Sequence, residues 1–250
     1  MAATDYEGDV AVITGAAHGI GAAVARKLAS LGARVVVADL DVDAGSAVAS
    51  DVDGIFVETD VRDLDANVAL MQRALDAHGR IDLVHLNAGI PSGTGFGAGF
   101  DVEIYRRAMA VNLDGVVFGV QAAIDALVAQ GSGQIVATAS MAGLTPVPFD
   151  PVYGANKAAV VSLVRSLGGL YADAGVRVNA LCPSFADTDI ITDIRQFLVD
   201  TRFPILDVDD VIDAFMAIVG GTGTGECWYV VPGRASEPFT FRNVPGPRTA

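Results

Sequence analysis

The chain has 250 residues, 52% hydrophobic and 18% charged, a length that suits one large α/β domain or two small ones. A net charge of −14 at neutral pH disfavours nucleic acid and anionic membrane surfaces as partners, because like charges repel. Mean hydropathy is high at +0.45, yet the continuous apolar runs are strand-sized, such as RVVVAD at 34–39, and fall short of the roughly 18–20 residues that cross a bilayer.

The opening MAATDYEGDV is acidic and has neither a basic n-region nor an apolar h-region, so no secretory leader is expected. In chain order the strand candidates are Val10–Thr14, Arg34–Ala38, Ile55–Thr59, Leu83–Asn87, Gln134–Ser140, Val176–Leu181 and Cys227–Val231. Helix-length amphipathic stretches fall between them near 19–31, 42–50, 64–78, 101–130, 152–174 and 207–219. This βαβα rhythm predicts a single Rossmann-type, doubly wound α/β domain over residues 1–235, with about seven parallel strands and helices on both faces. Such a sheet opens a crevice at its strand C-termini, where the strand order reverses. Residues 236–250 lack periodicity and read as an extended tail that reaches a neighbouring subunit or frays. Cys182 and Cys227 have no metal-ligand spacing, and His78 and His85 stand apart from other ligand types, so no metal is expected. Free thiols in a reducing, cytoplasmic setting are expected over a disulfide.

In VAVITGAAHGIGAAVARKLASLGARVVVADLD a strand runs into Gly15, Gly19 and Gly21, and a helix follows. Gly15 suits a tight turn, Gly19 lets backbone approach a pyrophosphate, and Gly21 lets the helix pack close on the strand. Ala17, His18 and Ile20 complete a loop whose N–H groups face the anion. The alternative is glycines that merely end a strand and begin a helix. The next strand ends at Asp39, 18 residues after Gly21, with Leu40 beside it. A carboxylate there accepts hydrogen bonds from both adenosine ribose hydroxyls and repels a 2′-phosphate, which predicts NAD over NADP. Asp60 and Val61 close the third strand; Asp60 is expected either to bind the adenine amino group or to cap the helix starting near Asp63. The SGTGFGAGF stretch at 92–100 also holds spaced glycines but follows the fourth strand and has no downstream acid, so it reads as a substrate-side loop.

PVYGANKAAV, 151–160, sets Tyr153 and Lys157 one helical turn apart on one face. An ammonium beside a phenol favours the phenolate and lowers its pKa from about 10, toward use as an acid/base; surface helices also carry such pairs by chance. Thr14–Gly21, the NAG at Asn87–Gly89, Asn112, Ser140 and the Tyr153/Lys157 pair occur in one order, and together they resemble the short-chain dehydrogenase/reductase family in its classical branch. The resemblance implies that Tyr153 exchanges the proton of the substrate's alcohol oxygen and that Lys157 lowers the phenol's pKa and binds the nicotinamide ribose. It implies that Ser140 steadies the substrate oxygen, that Asn112 anchors a proton-relaying water, and that NAD carries the hydride. Asn87, Ala88 and Gly89 match the family's cofactor-facing segment, although Leu86 replaces a usual Asn. Pro183, Phe185 and Thr188 match the nicotinamide-side segment, with Ser184 in place of a usual Gly. Unaided by the family, Ser140 reads equally as a turn cap and Asn112 as a partner for buried backbone.

SMAGLTPVPFDPVYGANKAAV, GVRVNALCPSFADTDI and PILDVDDVIDAFMAIV are similar to NAD-dependent 15-hydroxyprostaglandin dehydrogenases, which oxidise a secondary alcohol on a lipid. Asp150 stands where those enzymes carry a substrate-binding Gln, so Ser140, Asp150 and Tyr153 form the expected substrate set, with an acid that disfavours a nearby anion. Ile190, Ile191, Phe197, Leu198, Phe203 and Ile205 make the segment from Pro183 to Asp207 an apolar lid, serving either substrate contact or its own packing. The expected activity interconverts a secondary alcohol and a ketone on a small apolar molecule; the competing readings are a non-catalytic dinucleotide-binding regulator and an NADPH-dependent reductase. Family resemblance also implies a homo-oligomer, a tetramer or a dimer, packed through 101–130 and 152–174.

Overall fold

A computed structural model describes residues 6–242. Runs of valine, isoleucine and alanine form the strands β1 (Val10–Thr14), β2 (Arg34–Asp39), β3 (Ile55–Glu58), β4 (Leu83–Leu86), β5 (Gly133–Thr138), β6 (Val176–Pro183) and β7 (Cys227–Val230). They pair in parallel in the order β3-β2-β1-β4-β5-β6-β7, and β8 (Glu237–Pro238) adds antiparallel to β7. Crossovers run through α1 (Gly19–Ser30), α2 (Val42–Asp51), α3 (Leu64–His78), α4 (Val102–Met109), α5 (Gly115–Gln130), α6 (Pro151–Tyr171), α7 (Arg195–Asp200) and α8 (Val208–Gly220).

Side chains alternate across the sheet, and both faces are covered. Ile13, Val35 and Val37 enter a core shared with Leu28 of α1 and Phe215 of α8. Val12, Val36 and Ile135 face the other way, onto Leu70 of α3, Leu127 of α5 and Val164 of α6. Strands buried on both sides have no polar face, so they read as continuous apolar runs. Each such side chain contributes about 1.5–3 kcal/mol of burial.

Three features differ from the expectation. The stretch 101–130 is not one regular helix: a π-helical turn at Ala110–Asp114 separates α4 from α5. The helical stretch Val102–Gln130 contains an 18-residue window of mean hydropathy 1.5, long and apolar enough to cross a membrane by length and composition. A count of continuous apolar runs passes over it because charged residues interrupt it, and its inward residues, Val116, Val120, Ala123 and Leu127, pack into the core. The start of the expected tail is ordered. Phe239 N–H donates to Cys227 O at 2.8 Å, and Phe241 lies 3.8 Å beneath the guanidinium of Arg165 on α6. Residues 243–250 of that tail lie outside the described residues.

Strand order reverses around β1, whose neighbours are β2 and β4. Several expected strand ends, among them Thr59, Asn87 and Ser140, lie just past the ladders. These loop positions at the C-terminal edge hold the candidate site.

Candidate active site

The glycine turn is wedged against the end of β4. Gly15 has φ +63°, and a Cβ there would come within 2.7 Å of Ala88 Cα. At Gly21 a Cβ would stand 2.2 Å from Gly15 O and 2.7 Å from Asn87 Nδ2. No side chain fits at either position, because the turn packs backbone against backbone there; its N–H groups at the start of α1 form the candidate phosphate cradle. Thr14 anchors it: its hydroxyl accepts from Asn87 N at 3.0 Å and Ala88 N at 3.2 Å. Sequence reasoning passed over this role; the signal was a hydroxyl ending a buried strand directly before the first glycine. Ile20 is half-buried at the start of α1.

On the adenosine side, Asp39 already organises the loop. Its Oδ2 accepts from Ala17 N at 2.9 Å and its Oδ1 from Asp41 N at 3.0 Å. Asp41 caps α2 through Ala44 N and pairs with His18 Nε2 at 2.9 Å. The Ala44 amide, with His18 second, holds the Asp41 carboxyl below its ordinary value. Two acids therefore stand together at the C-terminal end of β2, and His18 is engaged by one of them. Leu40 is exposed between them. Asp60 does not cap the helix. Its carboxylate is gripped by Arg62, with Nη2 to Oδ2 at 2.6 Å, and that hydrogen bond is what chiefly lowers its pKa. The helix cap falls instead to Asp63, which accepts from Asp65 N. Val61 is buried, its side chain against Gly115 at the start of α5.

Next to β4, Leu86 answers the missing family Asn. Its side chain points away from the crevice, onto Gly119 of α5, where a Cβ would come within 2.3 Å of Leu86 Cδ2. Asn87 points toward the cradle, donating to Gly15 O at 3.1 Å. The π-helical turn carries Asn112, fully buried, so that its side chain clamps the Ile90 backbone at both ends, each at 2.9 Å. This is the backbone-satisfying role. Gly89 lies between: a Cβ there would stand 3.3 Å from Asn112 Oδ1 and 3.5 Å from Lys157 Nζ.

Ser140 and Tyr153 meet across the crevice. Ser140 caps the turn at Met141–Gly143 through Ala142 N and donates to Pro183 O at 3.3 Å. Asp150 begins α6 by accepting from Tyr153 N at 3.1 Å, and it also accepts from Ser92 Oγ. That second contact ties the 92–100 loop to the start of α6. The Tyr153 phenol is pushed up to about 12, by burial first and by Asp150 repulsion, with the Ser140 hydrogen bond opposing. Lys157, 2% exposed, donates to Thr138 O at 2.8 Å and lies 5.7 Å from the Tyr153 ring centroid. Burial brings its own pKa down to about 8. The phenol's shift is thus set chiefly by burial, in the direction opposite to the one expected from the ammonium.

Beyond β6, Ser184 has no positive φ, so its Cβ brings no backbone strain, and its N–H donates to Val230 O at 2.9 Å. The two ends of the lid are pinned together by a parallel bridge between Ala186 and Leu206. Within the lid Ile191 and Leu198 are buried as packing, whereas Ile190, Phe197 and Phe203 are exposed. Thr188 leans on the glycine loop, its Cγ2 3.1 Å from where a Gly19 Cβ would be. Phe185 joins Phe149 and Phe203 in an aromatic cluster, with centroids 6.3 and 5.3 Å apart. Cys182 and Cys227 are free and buried.

A family model described as short chain dehydrogenase matches residues 9–198. The chain is 40% identical over 204 residues to the cis-4-hydroxycyclohexanecarboxylate dehydrogenase of Sinomonas cyclohexanicum, a match spanning 78% of this chain and 82% of that one. It is 32% identical over 201 residues to the human 15-hydroxyprostaglandin dehydrogenase [NAD(+)], spanning 76% and 72% respectively. Among solved structures, a 3-ketoacyl-(acyl-carrier-protein) reductase from Brucella melitensis complexed with NADH superposes with TM-score 0.86 at 29% identity, covering 92% of this chain and all of that one. Prostaglandin dehydrogenases thus stand beside relatives named for other alcohols and ketones.

Proposed function

Because this chain belongs to the short-chain dehydrogenase family, whose members are nicotinamide-dependent oxidoreductases of CH–OH groups, we propose that it interconverts a secondary alcohol and a ketone on a small apolar molecule, using NAD. One observation carries the reading: Asn112 and Lys157 converge on Gly89 from two helical segments, while the Lys157 ammonium lies 5.7 Å from the Tyr153 ring centroid and Ser140 acts on the phenol from the end of β5. The bound dinucleotide supplies the hydride acceptor or donor. Gly15, Gly19 and Gly21 shape the turn that would receive its phosphates, and Asn87, Ala88 and Gly89 would lie along its nicotinamide half. Pro183, Phe185 and Thr188 face that half from the lid. Tyr153 delivers a proton to the ketone oxygen during reduction, and Ser140 donates a hydrogen bond to the same oxygen. In oxidation the phenol first has to lose its proton, so the alcohol is consumed faster at alkaline pH.

NAD over NADP is supported by Asp39 and Asp41, which place two carboxylates where a 2′-phosphate would sit, with no cation left unpaired by them. An uncharged, ring-bearing substrate is supported by the Phe149, Phe185 and Phe203 cluster and by the Asp150 carboxylate, whose field repels a substrate anion close to the carbinol. A cytoplasmic homo-oligomer, a tetramer packed through α5 and α6, completes the reading. Free buried thiols and the exposed Val117, Val128 and Leu170 on those helices support it.

Tyr153→Phe tests the assignment. A panel of secondary alcohols with NAD, read by absorbance of the reduced nicotinamide, should show turnover in the wild type. In the variant turnover should fall about 100-fold or more while NADH still binds. Unchanged turnover in the variant would remove Tyr153 from the chemistry.

A further inference from the structure

We propose that His85 is a positioning residue for the dinucleotide cradle: it is the fixed donor at the head of a buried hydrogen-bond relay, His85 to Thr138 to Asn87 to Gly15, that holds the glycine turn in register with β4. The inference rests on the cradle reading above. The relay's direction follows from its far end. Gly15 O can only accept, so the Asn87 amide nitrogen must face it, at 3.1 Å. That leaves Asn87 Oδ1 facing Thr138, whose hydroxyl donates to it at 3.0 Å. With its proton committed, Thr138 Oγ1 must accept from His85 Nε2 at 2.9 Å, which fixes the proton on Nε2.

The other ring nitrogen, Nδ1, is buried with no partner, and the ring packs 4.6 Å from Phe215 of α8. Burial keeps the imidazole neutral, with a pKa near 3. A side chain serving only to pack β4 against α8 would be better as leucine, which strands no acceptor. What leucine lacks is the N–H that Thr138 uses. Thr138 is also the residue whose carbonyl holds Lys157, at 2.8 Å, so the relay bears on the reactive end of the site as well as on the phosphate end.

The test measures binding of NADH and NADPH by fluorescence titration, and Tm, for wild type, H85L, H85Q, T138V and H85L/T138V. H85L should bind the preferred dinucleotide about tenfold more weakly while its Tm stays the same or rises. H85Q, whose amide N–H reaches the same oxygen, should recover affinity to within about threefold of wild type. T138V should lose a similar factor, and the double variant no more than either single one, as expected for members of one relay. H85L affinity within about twofold of wild type overturns the proposal, as do equal losses in H85L and H85Q that follow a common fall in Tm. If H85L fails to fold, the same comparison is made with H85Q, T138V and their double variant, and T138V at wild-type affinity overturns it. Wild type that binds neither dinucleotide sinks the cradle reading itself, and this inference with it.

Discussion

Lys157→Met is expected to stabilise the dinucleotide-free protein at neutral pH while abolishing its activity. The Lys157 ammonium is 2% exposed, and burial lowers its pKa from the ordinary 10.5 to about 8. The unfolded chain therefore holds more protons than the folded one between about pH 8 and pH 10.5, and wild-type stability rises with pH through that window. Below the window, folding bears the whole penalty of burying the charge, about 3 kcal/mol at about 1.4 kcal/mol for each tenfold change in proton affinity. Methionine fills the same space without a charge. It also strands the Thr138 carbonyl, now 2.8 Å from the ammonium, which costs about 1 kcal/mol. The net gain is about 2 kcal/mol at pH 7, a Tm rise of roughly 4–8 °C for a domain of this size. Urea unfolding followed by circular dichroism at pH 7 and pH 10 measures it, and the variant's advantage should shrink at the higher pH. A variant less stable than wild type at pH 7, or one with the same advantage at both values, would refute burial as the dominant force on this lysine.

Asp150→Asn keeps the helix cap and the Ser92 contact but removes a charge that raises the Tyr153 pKa, so the pH profile of alcohol oxidation should move to lower pH by about half a unit; a move to higher pH would contradict the electrostatic argument. Asp39→Ala frees the Ala17 and Asp41 amides and removes the ribose acceptor, and should weaken NAD binding about 10- to 100-fold. Calorimetry with NADP should show little gain until Asp41 is also replaced, and wild type that prefers NADP would count against both acids. Gly21→Ala forces a Cβ to 2.2 Å from Gly15 O and should abolish dinucleotide binding with a stability loss of about 1–3 kcal/mol. Thermal shift with and without NADH reads both effects.

The amino-acid order alone determined the parallel sheet, because strands buried on both faces must be apolar throughout and the helices between them amphipathic. It singled out Gly15, Gly21, Asp39, Tyr153 and Lys157 for the same kind of reason: a tight turn, a strand-end acid and a one-turn pair leave marks within short windows, whereas Ser140 entered only through the family resemblance. Contacts between distant segments leave no such mark. Only the folded chain decided that Arg62 takes Asp60, that Leu86 turns away onto Gly119, and that Asn112 clamps Ile90 from a π-helical turn. The balance on Tyr153 was likewise a tertiary matter. Spacing brings an ammonium near a phenol, but the direction of the phenol's shift depends on how much water the folded chain excludes from it.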